Sequence, residues 1–231
     1  MGGGTPVPFP AKGLPPAMQT TLAKRLLPLA AAALSLFTAT ASAQGRGPKE
    51  EGPAGSNPGE LQITQITPVR NLEQKSPAVV SGTRNKRWGV LDVTFSTTPE
   101  WVDDMTVTYY VMLQNPKADE KKGEKPMSFF TLTLSYSDIA RGKDHKVGAV
   151  LLPAALLRFG RPMGVAAKIS VGGQEVATKD DGEGPLKGAE KWWENPKIVD
   201  SPRVQRRDGY LIDRMKSPFQ LQDNDNYEES R

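Results

Sequence analysis

One histidine, a few carboxylate pairs, two adjacent tryptophans and a run of arginines are the side chains from which this chain can build chemistry. His145 lies in the charged stretch Gly142–Lys146 and reads as a solvated turn residue rather than a general base. The sequence has no Gly-x-Ser-x-Gly elbow, no His-Glu-x-x-His pair and no phosphate-cradling glycine loop. Asp103-Asp104 and Asp180-Asp181 fall in expected turns, where Asp is favoured because its carboxylate bonds nearby backbone. The chain is therefore expected not to be an enzyme, with no catalytic residue and no cofactor.

Metal chemistry has little to work with. Cysteine is absent, which removes thiolate sites and disulfides together. Asp223 to Asn226 with Glu228 offers oxygen ligands for calcium, but lacks the twelve-residue loop and its central glycine. A disordered acidic end is the expectation there, and no metal site is assigned.

Binding chemistry is better supplied. Trp192 and Trp193 stand near Lys187, Lys191 and Lys197, a combination able to stack on a sugar ring. On a strand, adjacent tryptophans point to opposite faces, so one would plug an edge while the other meets a partner. Arg203, Arg206, Arg207 and Arg214 surround Tyr210, but acidic neighbours make a salt-bridged face the default and nucleic acid is not expected. The expected partner or glycan contacts are Trp192, Trp193, Tyr210, Arg206 and Arg207.

The elements that must carry these residues emerge from patterning. The 231-residue chain has 30 basic and 26 acidic side chains, and the surplus sits at its start. Residues 1–43 hold Lys12, Lys24 and Arg25 and no carboxylate; Lys24-Arg25, the apolar run Leu26–Phe37 and Ala41-Ser42-Ala43 spell a secretory signal peptide cleaved near Ala43/Gln44. Its apolar core is roughly a dozen residues, short of the ~20 a spanning helix needs, so no transmembrane segment is expected in the mature chain. The mature chain is nearly charge-balanced and gives no general reason to seek a polyanion. Residues 44–59 are rich in Gly and Pro, lack aliphatics and are expected to be a disordered linker.

From residue 60 the period is two. Met105 to Asn115 is apolar on both faces by its middle and is the expected central strand, covered on both sides. Leu61–Val69 starts the folded part with a bulge expected near Gln65, and Val79-Val80 suits a short pairing in the loop over 70–86. Trp88–Phe95, Ser128–Tyr136, Val147–Leu152, Met163–Val171 and Gln174–Thr178 are further strands. Turns are expected at Pro99–Asp104, at Gly142–His145 and at Gly172-Gly173. Ala154–Phe159 reads as one helical turn closed by Gly160. The sum is an all-β, immunoglobulin-like antiparallel β-sandwich of seven to eight strands over 60–180, with a barrel as the other architecture of similar strand count. Residues 181–231 form an extended C-terminal segment with a hairpin-like Asp208-Gly209, either wrapped over the sandwich or extended until a partner binds.

With the signal peptide, the sandwich pattern, Lys191–Pro196 (KWWENP) and Arg207–Phe219 (RDGYLIDRMKSPF), residues 60–221 resemble a verrucomicrobial pilus-like protein family encoded with type IV pilus-type genes. The resemblance implies an immunoglobulin-like domain akin to archaeal pilins and flagellar subunits, and a structural role in the cell envelope. It carries no catalytic residues. The N-terminus departs from an ordinary type IV pilin in lacking the long hydrophobic helix, which points to an accessory or surface component. The expectation is an exported interaction protein, periplasmic or at the cell surface. Its partners would be other pilus-like or envelope proteins, or further copies of itself. A carbohydrate-binding adhesin is the alternative.

Overall fold

Two strands of unusual length carry the fold of the computed structural model, which describes residues 60–77, 86–223 and 226–231. β3 (Arg87–Gln114) has 28 residues and β4 (Met127–Leu151) has 25, paired antiparallel along their length. Trp88–Phe95 and Met105–Asn115 are thus one strand rather than two joined by a turn. Pro99, which has no N–H to give, sits where the register slips between Thr97 and Trp101, and that slip bends the hairpin instead of ending it. Gly142–His145 likewise lies inside β4, with Asp144 taking a positive φ of 64° at the matching bend.

The bend turns one hairpin into two layers. In the first, β1 (Leu61–Ile66) and β2 (Glu73–Lys75) pair with the start of β3. In the second, β5 (Arg161–Val171) pairs with the end of β3, and β6 (Gln174–Gly182) with β5. The register of β1 slips between Ile63 and Gln65, the expected bulge. Leu91, Val93, Phe95 and Val147 of the first layer meet Val107, Tyr109, Val111 and Val165 of the second in one core. The all-β sandwich is therefore a single hydrogen-bonded sheet of eight strands folded on itself. At its centre the Tyr109 and Tyr136 hydroxyls lie 3.1 Å apart, satisfying each other away from water.

α1 (Pro153–Phe159) crosses one end of the sandwich between the layers. Gly160 closes it at φ 89°, where an added Cβ would stand 2.1 Å from the Gln114 carbonyl oxygen, so only glycine fits. Gly172 and Gly173, at φ 57° and 79°, make the expected two-residue turn from β5 into β6. β6 continues through Asp180-Asp181, expected in a turn.

The C-terminal segment wraps back. Its apolar residues are too far apart to form a core of their own, but each meets a sheet face already present. Leu186, Trp192, Trp193, Val199 and Val204 cover Tyr110, Met112 and Phe129 on the outer face of the second layer, which explains why the middle of β3 is apolar on both sides. Phe219 covers Trp88, Val90 and Val150 on the outer face of the first. Short caps hold the path: Asn195, Asp213 and Ser217 side chains accept from the Lys197, Met215 and Phe219 amides.

The same segment lines the edge of β4. β7 (Val204–Arg207) pairs with Met127–Phe130 in parallel, the sole parallel strand pair among the described residues, and β8 (Leu211–Asp213) pairs with Ala149–Leu151. Asp208-Gly209 therefore joins strands at opposite ends of β4 and is not a hairpin. Between them, Glu228 N donates to the Lys146 carbonyl (2.8 Å) and Arg231 N to that of Ser135 (2.9 Å). Residues 226–231, expected to be disordered, are thus ordered along β4. The expected signal peptide with its cleavage site, the expected 44–59 linker and the expected Val79-Val80 pairing lie outside the described residues. Among those described, no helix is long and apolar enough to cross a membrane.

Candidate interaction surface

The residues expected to touch a partner are divided by the fold, and the tryptophan pair among them is withdrawn from the surface. Trp192 is fully buried and Trp193 is 4% exposed. They lie in a turn, not a strand, and Lys191 at φ 44° turns the backbone so that both rings face the sheet. Trp192 meets Phe129 edge-on at 6.2 Å, and Trp193 stacks on Tyr110 at 6.0 Å. Neither is placed to stack on a sugar or meet a partner.

The arginines also scatter. Arg206 lies over Phe129 at 5.4 Å and pairs with Asp200 at 2.9 Å. Arg207 lies over Phe159 at 4.6 Å, beside Tyr210, whose ring meets Phe159 edge-on and whose hydroxyl accepts from Arg158 (3.0 Å). Arg203 forks onto Glu120 at 2.6 and 3.1 Å. These contacts fasten the C-terminal segment to the sandwich rather than form one cationic face.

His145 is no solvated turn residue. Its side chain is 14% exposed, its ring stacks on Phe95 at 5.2 Å, and Nδ1 lies 2.7 Å from Glu228 Oε1. Beside it, the guanidinium of the buried Arg214 sits 3.7 Å over the Tyr227 ring. Burial holds the Asp92 carboxyl above its ordinary value, against the pull of Arg214 and Lys146. Burial pushes the Tyr227 hydroxyl up to about 12, and the Asp92 charge adds to it. This cluster clasps the end of the chain onto β4.

What is left open lies elsewhere. The outer edges of β1 and β6 face each other across a seam that, among the described residues, is bridged by side chains alone. Lys179 Nζ donates to the Thr64 carbonyl (2.7 Å), and Asp181 Oδ2 accepts from the Val69 amide (2.8 Å). Beyond these two ties the seam opens into a gap of about 500 Å³ between Leu61–Ile63 and Val176–Lys179. Where α1 crosses the sandwich, a cleft of about 470 Å³ is walled by Pro153, Leu156 and Leu157 and edged by Lys86, Arg87 and Arg161. Leu157 is 87% exposed there, and Trp101, on the bend of the hairpin, is 59% exposed. Both were hidden in sequence, Leu157 within a single helical turn and Trp101 within a stretch that reads as a loop. The one signal, for Trp101, is the composition of Glu100–Asp104, a large aromatic set among carboxylates.

A crystal structure of a protein from Akkermansia muciniphila is similar to this one, with a TM-score of 0.57 and 20% identity over 76% of this chain and 96% of that chain. A likeness at that identity speaks for the fold. No curated protein sequence matches the chain. A protein-family model matches residues 56–231, which takes in the whole sandwich and the segment wrapped over it, and the chain belongs to that family.

Proposed function

We propose that this protein is an exported, non-enzymatic structural or interaction component of a pilus-like cell-envelope assembly, acting through protein–protein contacts. One observation carries the reading. The C-terminal segment covers much of one sheet edge, and among the described residues no strand pairs with the outer edges of β1 and β6. An uncovered edge invites pairing with any extended chain, and soluble proteins ordinarily block such edges. Here one is met at both ends and at two points between, so the other reads as a docking edge for strand addition. The resemblance to pilus-like proteins supplies the setting, and the signal peptide supplies the route to it.

The test is in-cell photo-crosslinking from Thr178, in the seam, with Ser135 as the internal control, its side chain exposed on β4 where the Arg231 amide already occupies the strand edge. Capture of envelope or pilus-like proteins from Thr178 and not from Ser135 is expected. Capture of cytoplasmic proteins alone, or equal capture from both positions, contradicts the proposal.

A further inference from the structure

The two features left unexplained, the α1 cleft and the exposed Trp101, stand at opposite ends of the sandwich. Residues 89 and 113 of β3 lie beside the α1 end, paired with Leu151 and Pro162, while Thr97 and Trp101 lie at the bend, paired with Gly142 and Ala140. About ten residues of strand separate the ends, roughly 30 Å at ~3.3 Å per residue.

Their chemistry is complementary. The cleft has an apolar wall and three cations. Arg87 is matched to Glu73 (3.2 Å), which leaves Lys86 and Arg161 without an ion partner among the described residues. The bend presents Trp101 among carboxylates. Arg231 engages Asp104 (3.7 Å) and Asp138 (3.2 Å), which leaves Glu100 and Asp103 exposed and, among the described residues, without an ion partner. Arg141 is close by, but its Nε donates to the Thr98 carbonyl at 2.7 Å.

We infer that the Trp101 bend of one copy of this chain docks in the α1 cleft of a second copy. The indole lies against Leu157 and Pro153, and Glu100 and Asp103 meet Lys86 and Arg161. This deepens the proposed function by naming a second copy as one partner and a particular contact for it. The knob and the hole are different surfaces at opposite ends, so copies stacked end to end make a heterologous contact that propagates head to tail, and this stacking, not an antiparallel pair that closes on itself, is the arrangement inferred. An aromatic anchor in a partly apolar pocket, ringed by opposed charges, is the composition of an interface hot spot.

Sedimentation of the full chain tests this. The wild type is expected to form oligomers beyond a dimer as concentration rises. Trp101→Glu should remove them, and so should Lys86→Glu with Arg161→Glu. Mixing these two variants should give a dimer and nothing larger, because each supplies the one surface the other has lost. Each of these positions is exposed, so unchanged thermal melting separates lost docking from lost folding. The inference is overturned by a wild type that stays monomeric, by one that stops at a dimer, or by Trp101→Glu assembling as the wild type does. Capture from Thr178 in cells that persists alongside any of these outcomes leaves the envelope reading standing, and loss of that capture removes it.

Discussion

The two open sides of the folded sheet are treated in opposite ways. Along β4, β7 and β8 pair with its two ends, residues 226–231 bond it at Lys146 and Ser135, and the charged and aromatic contacts of His145, Arg214 and Tyr227 hold the end in place. Along β1 and β6, two side chains, Lys179 and Asp181, make the ties between edges. Backbone donors and acceptors are the same on both sides. The difference teaches that edge protection here is a matter of where the C-terminal segment was laid, and the unprotected side is where binding is easiest to build.

The largest way to break this comparison is to remove the cover. Deleting residues 187–231 exposes Tyr110, Met112 and Phe129 together with the β4 edge, and the truncated chain is expected to lose cooperative unfolding and aggregate. A soluble truncation with a sharp melting transition would make the segment an accessory. Trp192→Ala tests the same cover at one side chain, with a stability loss of about 3–5 kcal/mol by denaturant titration.

Alkali acts next. Burial raises the Tyr109 and Tyr136 hydroxyls, and Tyr227 to about 12, all above the ordinary 10.0. Groups raised on folding contribute stability that is complete below their unfolded value and is lost as pH climbs toward the folded one. Denaturant midpoints should therefore be insensitive to these tyrosines below pH 10 and fall steeply above it. Tyr227→Phe should blunt the fall between about pH 10 and 12.

At the bare edge the effects are small. Asp181→Ala removes the acceptor for the Val69 amide and should cost about 1–2 kcal/mol, with faster exchange confined to that amide. A loss as large as that of Trp192→Ala would mean that the seam is part of the core rather than an open edge.

Sequence patterning located the strands wherever one face met the core, because burial imposes a period of two on residues such as Phe130, Val165 and Ile169. It missed the bend. Pro99, Asp103-Asp104 and Gly142 are turn formers, and whether such residues end a strand or only bend it depends on a partner strand far along the chain. The apolar double face of Met105–Asn115 announced that something covers Tyr110 and Met112, and Trp192 and Trp193 were at hand to do it. The strand rule set them on opposite faces, whereas the turn at Lys191 brings both inward. His145 was obscured by its charged neighbours, since its partners Phe95 and Glu228 are remote in sequence. None of the five expected contact residues lies in the seam, the cleft or the bend.

Hydrogen exchange of the full chain, read by mass spectrometry of its peptides, tests the unequal edges most directly. Peptides covering 127–130 and 146–151 should exchange only with global unfolding, while 174–182 shows a population of amides exchanging orders of magnitude faster. Equal protection on the two sides, or rapid exchange in 146–151, would contradict the account.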